Sequence, residues 1–160
     1  MSGIQSLLLV LESAEKERDV ARTALEAARQ SHESARQQAQ SLHDWRMDYQ
    51  RRWQAQFRQS GGVEIVRCYQ DFMQRLGDAE SDQGRRVGHA QQQEARARAL
   101  LIERERRVAA VSQLIDRRQV ELMQKQARQE QKATDEMAAR TVRLQQSQGA
   151  SSTGLATGAI

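Results

Sequence analysis

Apolar positions recur along the first third of the chain at alternating spacings of three and four. One series reads Ile4, Leu11, Arg18, Leu25, His32, Ala39, Arg46 and Trp53, and the other Leu7, Ala14, Ala21, Ala28, Ala35, Leu42 and Tyr49. Side chains so spaced stay on one helix face, and the pattern predicts the seam of a left-handed coiled coil. Four successive alanines in the second series let a partner helix approach closely while burying little area per layer. Arg18 and Arg46 weaken the seam, although their stems can cover it while the guanidinium reaches water. Ser60-Gly61-Gly62 is the sharp punctuation in the middle of the chain. Glycine tolerates positive φ and ends helices, so the first helix is expected to stop there and reverse. A second seam starts near Val63 with Val66, Tyr69, Met73 and Leu76. It weakens through Glu80, Gln83, Gly84 and Gly88, then resumes at Ala97, Leu101, Val108, Val111, Ile115 and Leu122. Gly77, Gly84 and Gly88 each cost about 1 kcal/mol relative to Ala, which predicts a soft spot rather than a break.

The expected fold is therefore all-α: two long helices forming an antiparallel coiled-coil hairpin over residues 1–146. Helix 1 is placed at about 4–58, the turn at 59–63, helix 2 at about 64–145, and a flexible tail at 147–160. Reversal at Gly61 brings residue 58 near 63 and Ile4 near Ile115 or Asp116, so the second helix outruns the first. Its overhang, about residues 117–146, carries Lys125, Gln129, Lys132 and Glu136 where the seam would continue. That surface has no partner inside the chain. Seven acid-to-base pairs at i,i+4 support exposed helix: Glu12/Lys16, Asp48/Arg52, Asp82/Arg86, Glu94/Arg98, Glu103/Arg107, Glu121/Lys125 and Glu136/Arg140. Each adds only about 0.2–0.5 kcal/mol.

Composition agrees with the periodicity. The chain has no proline, 4% aromatic and 29% charged residues, and an apolar 38% that leans on Ala. A thick core is out of reach, whereas a narrow two-helix seam is not. The net charge of +4 is uneven: residues 59–84 are net acidic and residues 85–160 strongly basic, which suggests two partners at two places. Cys68 is alone and forms no intrachain disulfide, which with the lack of a signal peptide suits a reducing cytoplasm. The apolar run at residues 4–11 is far too short to span a bilayer.

No catalytic constellation is visible, and no cofactor is expected. Gly61-Gly62 is not followed by the Lys-Ser/Thr of a phosphate loop. His32, His43 and His89 share no metal-ligand spacing with one another or with Cys68. The aromatic residues are more informative: Trp45, Tyr49, Trp53, Phe57, Tyr69 and Phe72 all flank the turn. Tyr49, Trp53 and Tyr69 sit on the seams and are expected to close that end of the coil. Trp45 and Phe72 sit off the strict seam beside Leu42 and Leu76, where large apolar groups mark a protein-binding patch.

Three stretches in this order resemble the flagellar FliJ family, the small coiled-coil component of the flagellar export apparatus. The first is Leu7-Leu8 followed by Glu15-Lys16-Glu17 and the alanine heptads. The second is Trp45-Arg46-Met47-Asp48-Tyr49 before the Gly61-Gly62 turn, with Tyr69-Gln70-Asp71-Phe72-Met73-Gln74-Arg75-Leu76 after it. The third is Glu130-Gln131-Lys132-Ala133-Thr134-Asp135-Glu136-Met137-Ala138-Ala139-Arg140. The resemblance covers about residues 4–145.

The resemblance implies a non-enzymatic stalk similar to the central γ subunit of rotary ATPases. Such a protein links the hexameric export ATPase to the cytoplasmic domain of the membrane export gate and escorts export chaperones. It would act in the cytoplasm, peripherally at the membrane of the flagellar base, supporting flagellum assembly and hence chemotaxis. The gate contact implied for this chain comprises Gln38, Leu42, Trp45, Tyr49, Phe72, Leu76 and Ala79. Gln83 would be its last member but departs from the family pattern, and Trp45 stands where a tyrosine is usual. The ATPase-ring contact would comprise Lys125, Gln129, Lys132, Asp135, Glu136 and Arg140. Neither nucleic-acid binding nor membrane insertion is expected. The competing readings are the related stalk of a virulence-type injectisome, a basic coiled-coil nucleic-acid binder, and a plain spacer coil. Against the nucleic-acid reading, the C-terminal Arg residues alternate with Glu and lack interleaved aromatics.

Overall fold

A computed structural model describes residues 2–59 and 62–152. Two helices account for all of them but Gly62: α1, Ser2–Gln59, and α2, Val63–Ser152. They pack against each other as an antiparallel coiled-coil hairpin, and the described residues include no strand. Ser60 and Gly61, the centre of the expected turn, lie outside the described residues. Gly62 is described, and its carbonyl accepts a hydrogen bond from the Val66 amide at 3.3 Å, opening the α2 ladder. Glycines 77, 84 and 88 all lie within the continuous α2. The helix also continues through residues 147–152, where a flexible segment was expected. Serine hydroxyls turn inward there, Ser147 Oγ donating to the Leu144 carbonyl and Ser151 Oγ to that of Ser147. In that way the small polar residues remain compatible with helix. The rest of the expected tail, residues 153–160, lies outside the described residues.

By contact density the chain forms two compact units, Leu9–Ala110 and a second made of Met1–Leu8 with Val111–Ile160. Within the first, cross-helix contacts join Glu17 to Arg104, His32 to Glu94, Arg46 to Glu80 and Trp53 to Tyr69. Numbers rise on one helix as they fall on the other, which is antiparallel pairing. The buried core consists of Ala14, Ala21 and Leu25, flanked by half-buried Leu11, Ala28, His32, Ala35, Ala39 and Leu42. On α2 the half-buried positions follow a strict heptad through Met73, Leu76, Glu80, Val87, Ala90, Glu94, Ala97, Leu101, Arg104 and Val108, with Gln83 buried among them. In the other unit Ile115 is buried, and Ile4, Leu7 and Val111 are half-buried.

The seam departs from expectation in three places. After Arg46 it continues through Gln50, Trp53 and Phe57, all half-buried, while Tyr49 is 39% exposed. A four-residue step has entered the heptad, which shifts the stripe locally. A cluster of tilted and edge-to-face rings accompanies it: Trp53, Phe57 and Tyr69 lie mutually within 5.4–5.6 Å, all half-buried in the seam near the turn. Val66 is exposed and Ile65 takes its place. Leu122 is exposed as well, because every residue from 116 to 151 is exposed. Of the seven expected i,i+4 ion pairs, Glu12/Lys16, Asp48/Arg52 and Glu94/Arg98 form. Arg107 reaches across the seam to Glu17 instead.

Candidate functional site

Within the Leu9–Ala110 unit, the residues singled out near the turn form one edge of the seam. Two rungs of this edge are direct contacts. Gln83 Nε2 donates to Gln38 Oε1 at 3.2 Å, and the rings of Tyr49 and Phe72 meet edge to face at 4.9 Å. The other two follow by heptad translation. Leu42 and Ala79 lie seven residues from Tyr49 and Phe72, and Trp45 and Leu76 lie seven from Gln38 and Gln83. The expected gate-contact residues therefore share one face, about 16 Å long for eleven residues of helix. Trp45 is its prominent member at 58% exposure, with Leu42, Leu76 and Ala79 half-buried below. Between Trp45 and Gln83 runs a groove of about 540 Å³, lined also by Ser34, Gln37, Gln38, Ser41 and Leu42. Tyr49 belongs to this face rather than to the seam, because the four-residue step after Arg46 rotates it outward.

The seam beneath is polar at regular intervals. Arg46 Nη1 donates to Glu80 Oε2 at 2.6 Å, and two heptads away His32 Nδ1 donates to Glu94 Oε2, also at 2.6 Å. Glu94 further accepts from Arg98 Nη2 at 2.8 Å and has Arg29 at 4.0 Å. The hydrogen bond from His32, followed by the charges of His32 and Arg98, holds the Glu94 carboxyl below its ordinary 4.5, outweighing the opposing effect of burial. Glu80 is less completely served: Oε1 is buried without a hydrogen bond and has His43 Nδ1 at 3.6 Å. Toward the other end of the unit, Glu17 Oε2 accepts from Arg104 at 2.7 Å and Arg107 at 3.1 Å.

On sequence alone Arg46 and Glu80 read as weak points of the seam rather than as partners. The signal that pairs them was present: acids on α2 stand about as far beyond Gly62 as His32 and Arg46 stand before it.

The expected ATPase-ring residues, Lys125, Gln129, Lys132, Asp135, Glu136 and Arg140, all lie on α2 in the other unit and are exposed. Gln131 Nε2 donates to Asp135 at 3.3 Å, a bond within the helix. Exposed Met123, Met137, Val142 and Leu144 accompany them. Together they make a helix surface of mixed charge and scattered apolar groups facing water. Among the described residues no three His, Cys, Asp or Glu side chains cluster to hold a metal, and no helix is long and apolar enough to cross a membrane.

The family model described as "Flagellar FliJ protein" matches residues 3–147. No curated protein and no solved structure matches the chain.

Proposed function

The chain belongs to the flagellar FliJ protein family, whose members are non-catalytic components of the flagellar export apparatus, and from that membership we propose a stalk that bridges two partners. The edge carrying Gln38, Leu42, Trp45, Tyr49, Phe72, Leu76 and Ala79 docks on the cytoplasmic domain of the export gate. The exposed α2 segment carrying Lys125, Gln129, Lys132, Asp135, Glu136 and Arg140 docks inside the hexameric export ATPase. Export chaperones are escorted by the same protein, which works on the cytoplasmic side of the membrane at the flagellar base.

The observation that carries the gate assignment is the exposure of Trp45 above half-buried Leu42 and Leu76. A flat indole on an apolar floor is the kind of anchor that dominates protein interfaces, and its truncation typically costs binding about 1–4 kcal/mol. The test is titration calorimetry of the gate's cytoplasmic domain against the Trp45→Ala/Phe72→Ala double variant. Affinity should fall at least about tenfold, the equivalent of ~1.4 kcal/mol, while ATPase binding is retained. Unchanged gate affinity in a folded double variant overturns the assignment.

A further inference from the structure

The alanine heptads leave one question open: what fixes the alignment of α1 against α2. Ala14, Ala21, Ala28 and Ala35 are interchangeable, so sliding one helix by seven residues exchanges one alanine layer for another at little apolar cost. The polar layers are not interchangeable. Gln83 is the one buried polar residue among those described, at 6% exposure. Its Nε2 donates across the seam to the Ala35 backbone carbonyl at 3.0 Å and to Gln38 Oε1 at 3.2 Å. A slip of one heptad would carry this amide to another layer, away from Gln38 and Ala35. It would also take Glu80 from Arg46 and Glu94 from His32, stranding carboxylates in the seam.

We propose that Gln83 is a positioning residue, whose carboxamide selects the single helix alignment that brings Gln38, Leu42, Trp45 and Tyr49 opposite Gln83, Ala79, Leu76 and Phe72. Buried polar side chains in coiled coils do their best-attested work in this way, specifying register at the expense of stability. The donor to Ala35 sets the axial position. The donor to Gln38 also orients that side chain at the rim of the groove beside Trp45. The inference builds on the docking face proposed above, but its central claim concerns helix alignment and is measured without any partner.

The test uses the full chain with Cys68→Ser and three reporter pairs. Leu42→Cys with Ala79→Cys reads the native alignment. Leu42→Cys with Phe72→Cys, and Leu42→Cys with Arg86→Cys, read slips of one heptad in either direction. Each pair is oxidised in dilute monomer with and without Gln83→Met, which keeps the length of the side chain and removes its donors. In the parent, the native pair should close at least tenfold faster than either slipped pair. With Gln83→Met that preference should shrink at least fivefold, while helicity is retained and the melting temperature is equal or higher. An unchanged preference overturns the proposal, and so does a melting temperature that falls together with all three crosslinks, which marks plain loss of structure. Gate binding separates this inference from the one before it. A shifted alignment with intact gate binding removes the docking face and keeps the positioning role. An unshifted alignment with weakened binding does the reverse, making Gln83 a contact residue.

Discussion

Stability and docking should be separable in this fold, and Leu25 and Trp45 provide the sharpest comparison. Leu25 is 4% exposed and sits in the seam with alanine layers on both sides, whereas Trp45 is 58% exposed at its edge. Truncating a buried Leu to Ala costs about 2–5 kcal/mol, depending on how far the site collapses. Here the neighbouring layers at Ala21 and Ala28 already hold the helices close, so the gap left by Leu25→Ala closes partly and the lower end applies, ~2–3 kcal/mol. For a chain of this size 1 kcal/mol moves the melting temperature by about 2–4 °C, so a loss of roughly 4–12 °C is expected. Trp45→Ala removes a larger side chain, but more than half of it never left water. Its cost should stay below ~1 kcal/mol, within about 4 °C. Thermal melts followed by circular dichroism at 222 nm on both variants decide the matter. If Trp45→Ala melts as early as Leu25→Ala, the indole is part of the core and the exposed-face reasoning fails.

Two further outcomes follow from other parts of the molecule. Deleting residues 124–160 should leave the melting midpoint of the remaining hairpin nearly unchanged, since every residue from 116 to 151 is exposed, while abolishing binding to the export ATPase; a truncated chain that binds normally in pull-down removes the ring-contact assignment. The third concerns acid. The folded-state carboxyl of Glu94 titrates below its ordinary 4.5, so the unfolded chain binds the proton more readily. The stability this confers is present in full above the ordinary carboxylate range and is lost as pH falls through the depressed folded value. Melting curves between pH 7 and pH 3 should show a downturn below 4.5 that is shallower in Glu94→Gln, and equal slopes in the two proteins would refute the pairing with His32.

The hairpin was legible because its determinants are local. Leucine and alanine at spacings of three and four define a stripe without reference to anything else, and a glycine pair in a proline-free chain leaves one place to reverse. The C-terminal stretch was equally plain, since Lys125, Gln129 and Lys132 occupy positions where a seam would need apolar groups. What escaped was everything decided by the partner strand of the coil. Tyr49 and Gln50 compete for one seam position, and beside the ring cluster of Trp53, Phe57 and Tyr69 it is the glutamine that is half-buried. Ile65 and Val66 are both apolar, so periodicity alone cannot say which faces α1. His32 and Arg46 look like defects until Glu94 and Glu80 are placed opposite them.

The same logic explains why the proposed docking face is where it is. A pair of helices offers a single buried interface, and side chains at its edges have no second layer to cover them. Beside the alanine layers Val20, Leu100 and Ile102 are left exposed in the same way. Close to the turn the seam is filled by rings, and the rings on its rim, Trp45, Tyr49 and Phe72, are left partly in water. Exposure of large apolar groups is thus built into a two-helix fold that concentrates its aromatics at one end. On the proposed reading the seam holds its alignment with polar pairs rather than bulk, so folding should not depend on those rings. On this view, mutations in the alanine layers and mutations on the ring-bearing edge should sort cleanly into stability defects and binding defects. Gln83, which touches both the seam and Gln38, is the position where the two classes meet.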